Sequence, residues 1–227
     1  MKHIILLHGA LGAKDQLEPL KETLSNLNYQ VFSFSFSGHG KIPFQNEFGI
    51  KQFANELKNF ISEHKLKQPH VFAYSMGGYV ALYLASQKIN LLGNIITLGT
   101  KFSWTKEIAQ REIKQLDPKI ILEKVPKFAE ALKQRHGDDW ELLLERTADM
   151  MVSLGNINIL NSELFLKIEN KVLIGLADKD SMVTAEETTT VIEQIQNASR
   201  YTLHETKHPI ETVDVNSLAG IIDRFLQ

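Results

Sequence analysis

The feature that most restricts what this chain can become is the stretch His70-Val71-Phe72-Ala73-Tyr74-Ser75-Met76-Gly77-Gly78-Tyr79-Val80-Ala81-Leu82, an apolar run of strand character that stops at a serine and restarts with helix character. A strand and a helix joined through one residue must pack closely, so the positions two before and two after the serine have to be very small. They are Ala73 and Gly77, with Gly78 adding further room. Such a turn strains the serine backbone and lifts its hydroxyl above the sheet edge. A helix starting at Met76 also brings a free N–H and a positive dipole end beside that hydroxyl. On this segment alone, a serine that merely caps a helix explains the string equally well.

Composition narrows the classes. The chain has 227 residues, 43% of them hydrophobic, enough for one large α/β domain with or without an inserted subdomain. With 25 basic against 27 acidic residues there is no polybasic footprint, so neither nucleic acid nor an anionic membrane is an expected partner. The absence of cysteine excludes disulfides, a thiolate nucleophile and a cysteine zinc site. The apolar run Ile4-Ile5-Leu6-Leu7 is broken by His8-Gly9 and reads as a strand rather than a signal peptide. No segment approaches the roughly 18 to 20 uninterrupted apolar residues of a membrane span. A soluble, cytoplasmic protein is the expectation, with no cofactor implied and the oligomeric state open.

Strands and helices alternate through most of the chain. The run from Ile4 to Leu7 ends in His8-Gly9-Ala10-Leu11-Gly12, a glycine-bracketed loop able to turn N–H groups inward or simply to lead into a helix over 14–27. Tyr29 to Phe36 alternates as a second strand and runs into Ser37-Gly38-His39-Gly40-Lys41, where His39 is expected to be a solvated turn residue. Ile50, Phe53, Ala54, Leu57, Phe60 and Ile61 recur at helical spacing over 50–66, the strand before Ser75 follows, and Leu91 to Thr100 supplies a fourth strand. From 101 to 170 the pattern is helical only: 104–116, 119–134 around Pro126, and 138–154. This reads as a helical cap inserted into a core formed by 1–100 and 171–227. Its large apolar side chains belong first to its own small core, but Trp104, Phe128, Met150 and Met151, together with Leu11, are candidates to line an apolar pocket above Ser75. Strand character returns at 171–177 and 199–203. Thr184 with Glu187 forms a capping-box pattern, and Asn216 is the expected cap of a last helix over 217–226.

The loops starting at His8, Ser75, Asp178 and His208 each follow an expected strand and so belong at one edge of one sheet. A serine, an acid and a histidine occur there in that chain order, the set in which an imidazole takes the serine proton and a carboxylate holds the imidazole.

On these signatures the chain resembles the α/β-hydrolase superfamily over essentially its whole length: the His8-Gly9 loop, Ser37-Gly38-His39-Gly40-Lys41, the elbow Ala73-Tyr74-Ser75-Met76-Gly77-Gly78, the loop from Gly175 to Val183, and His208. The resemblance implies Ser75 as nucleophile, Asp180 as acid, His208 as base, and the N–H groups of Ala10 and Met76 as oxyanion donors. Asp180 is preferred to Asp178 because the acid in these proteins commonly precedes a valine or isoleucine by three positions, here Val183; Asp178 stays open. His208 is preferred to His204 because it lies beyond the strand, while His3, His64, His70 and His136 match no motif and are taken as surface or structural. Departures are Ala73 for the first elbow glycine, Ser35 and Ser37 where D-x-P-G-H-G is common, and no counterpart to the two antiparallel strands of the fullest form. The implied fold is a mostly parallel six-stranded sheet flanked by helices with an inserted helical cap. The implied activity is a serine hydrolase cleaving a small carboxylic ester or thioester. The alternatives are a C–C bond hydrolase or pyruvate-eliminating lyase, against which Tyr79 stands where those enzymes typically carry arginine, and a non-catalytic small-molecule binding protein.

Overall fold

A computed structural model describes residues 2–87 and 90–227. Six strands, β1 (Lys2–Leu7), β2 (Tyr29–Ser33), β3 (His70–Tyr74), β4 (Ile95–Leu98), β5 (Val172–Ala177) and β6 (Ala198–Leu203), form one sheet in the order β2-β1-β3-β4-β5-β6, with every described pairing parallel. Alternation along each strand divides the core between two faces. Ile5, Leu7, Val71, Ala73 and Ile95 pack under α2 (Ile50–Glu63) and α3 (Met76–Ser86), with α9 (Ala185–Gln194) on the same face. Ile4, Leu6, Phe72, Tyr74 and Ile96 pack under α1 (Glu18–Asn26) and α10 (Val215–Leu226). Burying each of the larger aliphatic and phenylalanine side chains is worth about 1.5–3 kcal/mol, which explains why these strands are almost continuously apolar.

This strand order places the site. β1 pairs with β2 on one side and with β3 on the other, so the connections leave in opposite directions and open a crevice beyond the carboxyl ends of β1 and β3. The loop at His8 and the turn at Ser75 both begin there.

Between β4 and β5 lie α4 (Lys106–Ile113), α5 (Pro118–Lys124), α6 (Pro126–His136), α7 (Trp140–Asn156) and the single turn α8 (Ser162–Phe165). The helix expected over 119–134 is two helices, because Pro126 has no N–H to continue α5 and instead starts α6. Ile121, Ala129, Leu132, Trp140 and Leu144 form a small core joining α5, α6 and α7, and Leu11 packs against it from the β1 loop.

Other boundaries move for local reasons. β2 ends at Ser33 rather than Phe36, since the Phe36 ring turns fully into the core and its N–H donates to the His8 ring at 3.1 Å. β4 is four residues rather than ten. The expected helix over 14–27 opens with a short 3-10 turn, and Pro19 fixes where α1 begins. The last helix is capped by Asp214, not Asn216, through its bond from the Ser217 N–H at 2.7 Å. Thr184 caps α9 as expected, but the Glu187 side chain turns away from the cap to meet Lys101. Among the described residues, no helix is long and apolar enough to cross a membrane.

Candidate active site

Ser75 has φ 51° and ψ −117°, a conformation unfavourable for a residue with a Cβ. Its surroundings impose that conformation: its N–H donates to the Leu98 carbonyl at 2.8 Å, and its own carbonyl accepts from the Thr100 hydroxyl at 3.1 Å and from the Gly78 N–H at 3.0 Å. The small residues are required by close approach. A Cβ on Gly77 would lie 2.7 Å from the His8 carbonyl oxygen and 2.9 Å from the Leu7 Cβ, so α3 sits directly on the end of β1. Met76, the first residue of α3, has an N–H with no carbonyl behind it within the helix.

The Ser75 Oγ lies 3.3 Å from His208 Nε2, and His208 Nδ1 lies 2.6 Å from Asp180 Oδ2. The Asp180 side chain is wholly inaccessible to solvent, and its other oxygen accepts the N–H groups of Met182 at 2.8 Å and Val183 at 3.0 Å. Burial alone pushes the Asp180 carboxyl up; the bond and charge of His208 and the two N–H donors outweigh it, and the group is held below the ordinary carboxylate value. The main chain at His208 is tied to β3, its carbonyl accepting the Tyr74 hydroxyl at 2.9 Å. Asp178 faces away, paired with the largely exposed His204 at 3.2 Å.

A cavity of about 480 Å³ opens above Ser75. Ala10, Met76 and His208 line it beside the serine, and Leu11, Trp104, Phe128, Met150 and Met151 are all in its wall. Ile50, Tyr79 and Leu154 complete an apolar interior, whereas Gln16, Arg135 and Glu211 make a polar section. Gln16 donates to Glu211 at 2.5 Å, and Arg135 lies 3.6 Å from the same carboxylate.

Several residues here carry no sequence motif. Lys101, 8% exposed, reaches the Met182 carbonyl at 2.7 Å and Glu187 at 3.5 Å, tying α9 to the loop that holds Asp180. Burial raises the Glu187 carboxyl, opposed by the Lys101 charge. The two residues are 86 positions apart, so no local pattern could have paired them. His39, expected in solvent, is fully buried: its Nδ1 donates to the Ser37 carbonyl at 3.0 Å and its ring lies 5.0 Å from that of His8. Burial pushes both imidazoles down, His8 to about 4. His136, with no motif, is buried as well.

The family model described as alpha/beta hydrolase fold matches residues 2–139. A Cyberlindnera fabianii protein named a probable alcohol acetyltransferase is 36% identical over 101 residues, 42% of this chain and 26% of that one. A Haemophilus influenzae protein named for 2-succinyl-6-hydroxy-2,4-cyclohexadiene-1-carboxylate synthase is 29% identical over 138 residues, 53% of this chain and 55% of that one. This chain therefore spans about a quarter of the first relative's length and about half of the second's. Among solved structures, a thermophilic esterase from Thermogutta terrifontis superposes with a TM-score of 0.79 over 100% of this chain and 89% of that one, at 16% identity, a likeness of fold.

Proposed function

The chain belongs to the alpha/beta hydrolase fold family, and from that premise we propose that it is a serine hydrolase acting on a small carboxylic ester or thioester through an acyl-enzyme on Ser75. The observation that carries this reading is the continuous relay from Ser75 Oγ through His208 to a buried Asp180, at 3.3 and 2.6 Å, opening into a mostly apolar cavity.

In this reading Asp180 holds the proton of His208 on Nδ1, leaving Nε2 free to accept. Ser75 Oγ attacks the substrate carbonyl carbon as its proton passes to Nε2, and the 3.3 Å separation shortens as attack begins. The oxygen of the tetrahedral intermediate is met by the N–H groups of Ala10 and Met76. Collapse breaks the bond to the leaving alcohol or thiol, which takes the proton from His208. Water then adds to the acyl group with His208 as base again, releasing the acid and restoring Ser75. Residues 101–170 serve as the cap, with Trp104, Phe128, Met150, Met151 and Leu11 around the acyl portion. The relatives named acetyltransferases supply a second acceptor for the same intermediate, an alcohol in place of water. The lyase alternative draws on the Haemophilus match. Tyr79 weighs against it, since its hydroxyl is committed to Asn158 at 2.5 Å and to the Leu160 N–H at 2.9 Å and supplies no positive charge for an anionic substrate.

The test is intact-mass labelling with a fluorophosphonate, wild type against Ser75→Ala, followed by turnover of p-nitrophenyl esters of increasing acyl length with and without added ethanol. One label per chain, lost in the variant, with turnover favouring one acyl length, is the expected result; ethyl ester formation would assign the transferase branch. A wild type that binds these esters without labelling or turnover would make the protein a binding protein.

A further inference from the structure

His136 ends α6 and is 3% exposed. The Gly40 N–H donates to its Nδ1 at 3.0 Å, so that nitrogen carries the lone pair. The hydrogen is then on Nε2, which donates to the Leu11 carbonyl at 2.9 Å. One neutral imidazole therefore joins three pieces of chain: the end of α6, the turn after β2 and the loop after β1. Burial holds it neutral by lowering its pKa.

Its attachment to Leu11 has a specific consequence. The Gly12 N–H closes a turn onto the Gly9 carbonyl at 3.1 Å, which makes Ala10 and Leu11 the two central residues. Leu11 has φ 57°, the left-handed value that this turn position ordinarily assigns to glycine or asparagine. Holding a leucine there costs free energy that contacts outside the turn can offset. Two contacts do, and both come from the helices between β4 and β5: the His136 bond to its carbonyl, and the α5–α7 core against its side chain. The near side of the turn is held by His8, whose Nδ1 donates to the Gly9 carbonyl at 2.8 Å.

We propose that His136 is the positioning residue of the oxyanion loop, fixing the Gly9–Gly12 turn so that the Ala10 N–H faces the carbonyl attacked by Ser75. Because α6 also presents Phe128, Ala131 and Arg135 to the cavity, the same helix that encloses the substrate sets the donor. A substrate that leaves α6 displaced loosens the turn and loses part of its transition-state stabilisation. The catalytic consequence rests on the serine-hydrolase reading; the pinning of the turn does not.

The experiment compares wild type with His136→Ala, His136→Gln and His136→Asn. Glutamine can reach the Leu11 carbonyl with its amide N–H, as Nε2 does, whereas asparagine reaches only the level of Nδ1 and Gly40. Hydrogen exchange is followed by mass spectrometry in peptides covering residues 8–13 and α5–α7, beside kcat and KM for the preferred p-nitrophenyl ester. His136→Ala should speed exchange at 9–12 about tenfold without a matching rise across α5–α7. It should also lower kcat about 10- to 100-fold with KM within threefold, and the glutamine variant should recover both where asparagine does not. Recovery by asparagine instead, unchanged exchange at 9–12 in the alanine variant, or a uniform rise through α5–α7 would each overturn the proposal. A wild type whose Ser75 is not labelled by fluorophosphonate overturns the catalytic part together with the hydrolase reading, while the exchange result separately decides whether His136 holds the turn.

Discussion

Replacing Asp180 by asparagine separates the two sets of contacts this carboxylate makes, one to its own loop and one to His208. One oxygen accepts the N–H groups of Met182 and Val183, at 2.8 and 3.0 Å, and the other faces His208 Nδ1 at 2.6 Å. An asparagine keeps its carbonyl oxygen for the loop, so the loop should stay in place. Its NH2 group must then point at Nδ1, which can only accept. The proton of His208 moves to Nε2, directed at Ser75, and in the proposed mechanism the imidazole can no longer take the serine proton. Losing the correct tautomer and the charge behind it should lower kcat on the order of 10⁴-fold, the scale known for this exchange in a serine protease. Stability should change little. Asp180→Ala behaves differently: it leaves two buried N–H groups unpaired at about 1–3 kcal/mol each, so both activity and stability should fall. Urea unfolding and ester turnover on the two variants read these effects separately. Turnover of Asp180→Asn within tenfold of wild type, with its unfolding midpoint unchanged, would show that the carboxylate does not set the tautomer of His208 and would refute the relay.

Two further predictions follow from packing and titration. Gly77→Ala places a Cβ 2.7 Å from a backbone carbonyl that cannot retreat, so the elbow must open; an overpacking loss of about 1–3 kcal/mol is expected in urea unfolding, with slower fluorophosphonate labelling of Ser75. A variant within about 0.5 kcal/mol of wild type would mean that the helix does not rest on the end of β1 as closely as described. His8 stays neutral in the folded protein down to about pH 4, while the unfolded chain takes up that proton near its ordinary value of 6.5. The unfolded state thus binds more protons between these limits, and stability falls as pH drops through them, by about 3 kcal/mol from His8 alone. The depressed Asp180 carboxyl adds a further loss below about pH 4 as it protonates. Above pH 6.5 these groups contribute no slope, so an unfolding midpoint that is flat from pH 7 to 4.5 would contradict the burial of His8 and His39.

The parts of this protein legible in its residues are those that depend on near neighbours in the chain. The apolar runs at 4–7, 70–74 and 171–177 predict strands because β-branched and leucine side chains on both faces suit only a covered parallel sheet. Ala73, Ser75 and Gly77 predict the elbow because a strand and helix joined by one residue admit no larger neighbours. Loops that follow parallel strands share one sheet edge whatever the details, so Ser75, Asp180 and His208 could be placed together before any distance was known.

Interactions between distant segments were not legible. Pro126 lay in plain view, but whether it would kink one helix or divide two depended on the small core that α5 and α6 each find against α7. Nothing around His39 indicates burial, because the groups that enclose it, Phe48, Phe53 and the His8 ring, converge from separate elements. Lys101 meets Glu187, and His136 meets Leu11, across 86 and 125 positions, with no periodicity to announce either contact. Local stereochemistry and the hydrophobic period set the strands, the elbow and the shared edge. The cavity wall, the burial of His39 and the bond from His136 to Leu11 came from folding, because each depends on which surfaces the chain buries together.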